Sequence, residues 1–311
     1  MHPAVTVLLI VLANCVFVFL LGLVIYSWQT ARHTVLPKRV TKEYEIKWNK
    51  DRNLWLDFDS YLTKDYTVEG KDGYILHATY VYTKEVQGTG KYVIICHGRT
   101  SSRYGGIKYV NSYIKLGFSC IIYDARGHGD NAPAKCTLGY VESEDLYKVI
   151  QDTRNKFSDV KVLGLQGESM GSSTAIHVLR FHPNVDFIVS DCGFMDVCTV
   201  TRDCYRKVFL HHFVPCINFA CKLIYKIDIR KTNALKYLEG NKTPILFIHG
   251  SGDTFIRPYQ SEVLRNKAAE NGAYTELIFV EGAGHARSRV FAGFEKYTGY
   301  IENFLKNIGI T

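Results

Sequence analysis

Gly167-Glu168-Ser169-Met170-Gly171 follows the apolar run Val160–Leu165 and precedes a segment of helical pattern, Met170–Phe181. That context decides the reading. A strand ending in Gly-x-Ser-x-Gly turns tightly into a helix and lifts one serine above the sheet edge. Glycines flank the serine because a side chain at either place would strike the neighbouring strand or helix. Ser169 is the expected nucleophile. Five residues make a short pattern, so its partners must be found elsewhere in the chain.

A serine hydroxyl is a weak nucleophile near neutral pH, and it needs a base within hydrogen-bond reach plus an acid that orients the base. Pro244–Gly250 reads as a buried parallel strand, and Ser251-Gly252-Asp253 turns out of its carboxyl end. Asp253 is the expected acid. A further strand over Glu276–Val280 leads into Glu281-Gly-Ala-Gly-His285, so the expected base, His285, sits on a glycine-rich loop. The competing readings are plain ones. Asp253 can cap the helix that starts near Pro258, His285 can be a surface loop residue, and Asp191, after the strand Phe187–Ser190, is a rival acid.

Acyl transfer also develops negative charge on the carbonyl oxygen, and two backbone N–H groups must already point at it. Met170, next after the nucleophile, supplies one. His97-Gly98-Arg99-Thr100 directly follows the apolar strand Tyr92–Cys96, and the Arg99 N–H is the expected second donor. Only its main chain is needed, so the Arg99 side chain is free to face elsewhere. His97 reads as a structural histidine that holds the loop.

With these residues in place the chain resembles the α/β-hydrolase superfamily, specifically its monoglyceride-lipase and serine-aminopeptidase-like branch. The matching segments are Cys96-His-Gly-Arg-Thr, Tyr123-Asp-Ala-Arg-Gly-His-Gly129, Gly167-Glu-Ser-Met-Gly171, Ile248-His-Gly-Ser-Gly-Asp253 and Gly282-Ala-Gly-His285. They fall in the family's order and cover roughly residues 65–311. Ser102-Arg-Tyr-Gly105 after the oxyanion turn is most similar to membrane-anchored bacterial members. The resemblance implies the order nucleophile, acid, histidine, which Ser169, Asp253 and His285 satisfy. It also implies a structural role for Asp124–Gly129, with Asp124 and Arg126 pinning the loop. Glu168 is expected to be buried and paired, with a partner the sequence does not name.

The first thirty residues are a separate element. Ala4–Tyr26 is 23 residues without a charge. As a helix rising 1.5 Å per residue it spans the roughly 30 Å hydrocarbon layer. A cleaved signal peptide would have a basic start, a shorter apolar region and a small-x-small site. Met-His-Pro opens this chain and no clean Ala-x-Ala follows, which favours an uncleaved single-pass anchor. Arg32, Lys38, Arg39 and Lys42 follow the span, so the positive-inside tendency puts the catalytic domain on the cytoplasmic side. Nine cysteines without a small-scaffold pattern agree with a reducing compartment.

Alternating strand and helix patterns predict a mostly parallel eight-stranded sheet with helices on both faces. The expected strands are 66–69, 74–82, 92–96, 119–123, 160–166, 187–190, 245–248 and 276–280. Expected helices are 106–116, 142–157, 170–181, 260–271 and 291–308. The organisation is thus an anchor at 1–30, a basic juxtamembrane linker at 31–60, and a hydrolase domain at 61–311. About 194–239 lacks strands and is too long for an ordinary link, so a helical cap is expected there, with helices at 209–214 and 217–225. From Asp196 to Lys236 it carries eight Lys or Arg against three Asp, which is +5 of the chain's net +8. Two readings compete: a solvated basic face, or a cap that holds an acyl chain and approaches anionic headgroups. Cys192, Cys198, Cys204, Cys216 and Cys221 cluster here without Cys-x-x-Cys spacing, so they read as buried thiols rather than metal ligands.

The expected activity is a lipase-like serine esterase acting on a small-molecule ester or acyl substrate. It requires no metal or organic cofactor. Thioesters are an alternative substrate, as is the N-terminal residue of a peptide, for which Glu142, Glu144 or Asp196 would hold the amine. A third reading, a catalytically inactive binding protein, is disfavoured because every expected position is filled. Nucleic-acid binding is excluded for want of a recognisable module. Oligomeric state is not legible.

Overall fold

Residues 2–206 and 210–310 are described in a computed structural model of the chain. Eight strands form one sheet: β1 (Leu62–Glu69), β2 (Ile75–Tyr82), β3 (Lys91–Cys96), β4 (Ser119–Tyr123), β5 (Val162–Glu168), β6 (Phe187–Asp191), β7 (Ile245–Gly250) and β8 (Thr275–Val280). Their spatial order is β1-β2-β4-β3-β5-β6-β7-β8. β1 and β2 pair antiparallel to each other, and β2 antiparallel to β4, while every later pairing is parallel.

The helices are α1 (Pro3–Val35), α2 (Lys42–Lys50), α3 (Ile107–Lys115), α4 (Glu142–Lys156), α5 (Met170–His177), α6 (Val197–Tyr205), α7 (Val214–Ala220), α8 (Ala234–Tyr237), α9 (Tyr259–Glu270), α10 (Ser288–Ala292) and α11 (Phe294–Asn307). Local chemistry starts several of them. The Thr41 hydroxyl accepts the Tyr44 N–H at the head of α2, and Asp196 accepts the Thr199 N–H at the head of α6. Glu142, Glu144 and Asp145 open α4 while Arg154 and Lys156 close it, as the helix dipole favours.

Strand periodicity builds two cores from one sheet. Ile94, Ile121, Leu163 and Leu165 face α4 and α5 on one side. Val93, Ile95, Cys120 and Ile122 face α3 and α11 on the other, among Tyr113, Phe118, Tyr297 and Phe304. After β3 the chain moves outward to β4, then returns across β3 to lay down β5. The β3 and β5 carboxyl ends therefore flank the reversal in strand order, where parallel sheets leave a crevice.

Two segments differ from the sequence expectation. Residues 42–60 are folded rather than linker-like: Glu45 and Asn49 of α2 are buried, and Trp55 and Phe58 enter the core beside α3. Apolar Trp55 and Phe58 outweigh the basic flanking residues that suggested a linker. The expected helix at 209–214 begins on Phe209, outside the described residues, and Leu210–Phe213 is a single 3₁₀ turn. Beyond it the predicted 217–225 helix divides into α7 and a wide π turn over Cys221–Tyr225. Helix α1 is long and apolar enough to cross a membrane, and its most apolar stretch is exposed on every side.

Candidate active site

β5 ends at Glu168, and Ser169 makes the turn into α5 at φ +53° and ψ −112°. A non-glycine residue adopts that backbone only where its surroundings enforce it. The enforcement is visible at the flanking glycines. A Cβ on Gly171 would lie 2.0 Å from the Cys96 carbonyl oxygen, and one on Gly167 would lie 2.5 Å from the Gly171 carbonyl oxygen. The Ser169 N–H donates to the Asp191 carbonyl at 2.9 Å, which ties the turn to β6.

Three distant residues meet above the sheet. His285 Nε2 lies 3.0 Å from Ser169 Oγ, and His285 Nδ1 lies 2.7 Å from Asp253 Oδ2. Asp253 Oδ1 accepts the N–H groups of Phe255 and Ile256, both at 2.9 Å. Burial pushes the Asp253 carboxyl up, yet hydrogen bonds from His249 and His285 outweigh it and hold the group well below the usual carboxylate range. Asp253 is therefore an anion facing the ring. It does not cap α9, which starts at Tyr259 after Pro258.

The rival acid sits elsewhere. Asp191 is fully buried and accepts hydroxyls from Ser288 at 2.8 Å, Tyr297 at 3.0 Å and Tyr109 at 3.2 Å. Burial, aided by the nearby Glu168 charge, pushes its carboxyl up to about 6. Glu168 finds its partners in the same place: the Tyr109 hydroxyl at 2.6 Å and the buried Lys108 ammonium. Burial alone would favour neutral Lys108, but Glu168 reverses this and keeps the lysine charged. Lys108 Nζ also lies 3.4 Å from the Ala286 carbonyl oxygen, so it joins the nucleophile turn to the histidine loop.

The turn at residues 97–100, the candidate oxyanion turn, follows β3. Met170 opens α5, where the first N–H groups of a helix have no partner within it. Arg99 and Met170 line the same cavity as Ser169. The Arg99 guanidinium turns away and donates to the carbonyls of His33 and Leu36 at the end of α1. His97 is structural: its Nδ1 donates to the Gly98 carbonyl at 2.7 Å and its Nε2 accepts the Ala125 N–H at 2.9 Å. Burial pushes it down to about 4, so it stays neutral. Asp124 and Arg126 both tie down the loop after β4. Asp124 pairs with Arg103, and Arg126 pairs with Asp145.

Sequence reasoning missed His249, Lys108, Tyr109, Ser288 and Tyr297. His249 is fully buried; its Nε2–H is shared by the Ile256 carbonyl at 2.9 Å and Asp253 Oδ2 at 3.2 Å, while Nδ1 accepts from Ser261 at 2.6 Å. Its place near the carboxyl end of β7, four residues before Asp253, was the one available signal. The others come from helices whose local sequence says nothing of the site.

Above Ser169 lies a cavity of about 550 Å³. Phe194, Val197, Val200, Leu138, Phe255 and Ile256 make it mostly apolar, and Thr30, His33 and Thr34 of α1 complete it. No Asp or Glu appears among its described lining residues. Glu142 is occupied by Thr137 and Gly139, Glu144 by Lys71 and Arg180, and Asp196 by the head of α6. All nine cysteines are free, and no group of three or more described His, Cys, Asp or Glu residues is arranged to hold a metal ion.

The family model for the α/β-hydrolase fold matches residues 91–212, from β3 through the Ser169 turn and past α6. The esterase Pf2001 of Pyrococcus furiosus superposes with a TM-score of 0.67 at 24% identity, covering 88% of this chain and 100% of the esterase. This chain has the α/β-hydrolase fold. The acylaminoacyl peptidase of Pyrococcus horikoshii also superposes, with a TM-score of 0.60 at 15% identity, over 80% of this chain and 42% of the peptidase. In sequence, the uncharacterised protein YqkD of Bacillus subtilis is 28% identical over 280 residues, which is 87% of this chain and 89% of YqkD. The hydrolase fold thus spans the N-terminal pair β1–β2 as well as the matched segment.

Proposed function

We propose that the protein is a membrane-anchored serine hydrolase that cleaves carboxylic esters through an acyl-enzyme intermediate. One observation carries this reading: the continuous path from Ser169 Oγ to His285 at 3.0 Å and on to Asp253 at 2.7 Å, opening on an apolar cavity. In the reaction, Ser169 Oγ attacks the ester carbonyl carbon while His285 Nε2 takes its proton. The tetrahedral oxyanion lies against the Met170 and Arg99 N–H groups. Asp253 holds the ring with its proton on Nδ1 and stabilises the imidazolium. The imidazolium then protonates the departing alkoxide, leaving Ser169 acylated. Water, deprotonated by the same nitrogen, attacks the acyl carbon and releases the acid with the serine restored.

An ester fits the cavity better than a peptide N-terminus. An aminopeptidase needs a carboxylate near the cleaved bond for the substrate amine, and the described lining offers none. Apolar walls suit an acyl chain. Residues 4–25 of α1 span about 33 Å as a helix, enough for the hydrocarbon layer. Exposed Phe219, Leu223 and Ile224 of the cap, flanked by exposed Lys222 and Lys226, support a cap lying against an anionic leaflet. The basic residues after α1 support a cytoplasmic catalytic domain. The apolar lining without a described carboxylate supports the monoglyceride-lipase-like reading over the aminopeptidase-like one. Ser169→Ala tests the core of the reading. It should lower p-nitrophenyl butyrate turnover by about 10⁶-fold and abolish fluorophosphonate labelling, and a variant that keeps most activity overturns the assignment.

A further inference from the structure

Helix α1 changes character along its length. From Val7 to Gly22 every residue is exposed, as suits a lone helix in lipid. From Ser27 onward a stripe turns inward: Ser27, Thr30, Ala31 and Val35 are buried, at a spacing that puts them on one helix face. Ala31 and Val35 pack with Phe194, Val197 and Ile217 of the cap. Thr30, His33 and Thr34 line the cavity that holds Ser169.

The end of α1 is also fixed to the catalytic machinery. Terminal carbonyls of a helix have no partner within it. Here the Cys136 N–H donates to the Val35 carbonyl at 2.8 Å, and the Arg99 guanidinium donates to the carbonyls of His33 and Leu36. The oxyanion turn and the anchor therefore share one joint. Across the cavity stands α6, where the Tyr205 ring meets Tyr26 edge-on at 5.3 Å. Farther along α1, Phe213 of the cap meets Phe19 at 6.0 Å. The cap thus reaches into the stretch of α1 that would lie in hydrocarbon.

We propose that the inward face of α1, through Thr30, His33 and Thr34, forms one wall of the acyl pocket, and that the pocket takes the acyl chain of a membrane-resident ester sideways from the leaflet, between α1 and α6. This rests on the hydrolase reading above and names its substrate class. An acyl chain moving from lipid into an apolar cleft between two helices never exposes its methylenes to water. The anchor then acts as a specificity element as well as a tether.

The test uses the full-length protein in phosphatidylcholine nanodiscs, with rates taken per fluorophosphonate-titrated site so that unfolded protein drops out. The readout is the ratio of kcat/KM for p-nitrophenyl dodecanoate to that for p-nitrophenyl butyrate. Thr34→Trp on α1 and Val200→Trp on the facing wall should each lower the ratio about tenfold, the scale on which pocket volume discriminates chains. Gln29→Trp, on the exposed side of α1, should leave it unchanged. An unchanged ratio in Thr34→Trp, or an equal fall in Gln29→Trp, overturns the proposal. A slowly exchanging fluorogenic diacyl ester should be cleaved when it shares a disc with the enzyme. Equal rates from separate discs would refute sideways entry. A wild-type protein that never labels at Ser169 would instead overturn the hydrolase reading itself.

Discussion

Replacing Asp253 by Asn isolates the role of the acid without changing its size. Asp253 Oδ1 accepts two backbone N–H groups, from Phe255 and Ile256, and Oδ2 faces His285 Nδ1. An asparagine must choose which way its amide points. Keeping its oxygen on the two N–H groups turns the NH₂ toward His285, and Nδ1 must then accept. The ring proton moves to Nε2, facing Ser169, and the imidazole can no longer take the serine proton. The opposite orientation leaves two buried N–H donors facing an NH₂, at about 1–3 kcal/mol each. The productive form is thus disfavoured by about 2–6 kcal/mol, and even when sampled it offers no charge to steady the imidazolium. Together these effects predict a fall in kcat of about 10⁴, near 5 kcal/mol of barrier, the scale seen for the equivalent change in triad proteases. Steady-state hydrolysis of p-nitrophenyl butyrate would measure it, with circular dichroism to show an intact fold. A folded Asp253→Asn variant within tenfold of wild-type kcat would refute the argument, most directly if Asp191→Asn fell by 10³ or more.

Two further predictions concern buried charge. Lys108→Met leaves Glu168 as an uncompensated buried anion, so urea denaturation should show a loss of about 3–5 kcal/mol, partly recovered by adding Glu168→Gln; a loss below about 1 kcal/mol would mean the pair is not buried as described. Stability should also fall steeply on mild acidification. Burial pushes His97, His128 and His177 each down to about 4, so their contribution is whole above the ordinary histidine value and is lost as pH drops toward 4. Asp191, pushed up to about 6, has the opposite sign: its contribution is present below the ordinary carboxylate value and is lost as pH rises through 6. Near pH 5 these four groups by themselves take up about two protons net on unfolding, a slope of about 3 kcal/mol per pH unit, which the buried carboxyls of Glu45, Asp124 and Asp145, also pushed up by burial, reduce. Urea midpoints that stay flat between pH 6.5 and 4.5 would contradict it.

Local patterns carried much of this protein. The nearly unbroken apolar runs in Tyr92–Cys96 and Ser119–Tyr123 are a property of a few consecutive residues, and they marked strands buried on both faces. Gly167 and Gly171 likewise announced the tight Ser169 turn, because the collisions they avoid, with Gly171 itself and with the neighbouring β3, are those of a strand turning sharply into a helix. The uncharged run of α1 declared its length and polarity directly.

Other features depended on residues far apart in the chain. Asp191 ends β6 and Asp253 follows β7, and only the three-dimensional path of the histidine loop brings His285 to Asp253 while Ser288 and two tyrosines enclose Asp191. Lys108 reads as an ordinary helix charge until Glu168 is folded against it. Sequence by itself determined the strands, the serine turn and the long apolar helix, since each follows from side chains a few positions apart. Tertiary structure alone decided which carboxylate faces the imidazole and that the end of α1 walls the cavity, because those contacts join segments whose local sequences carry no record of one another.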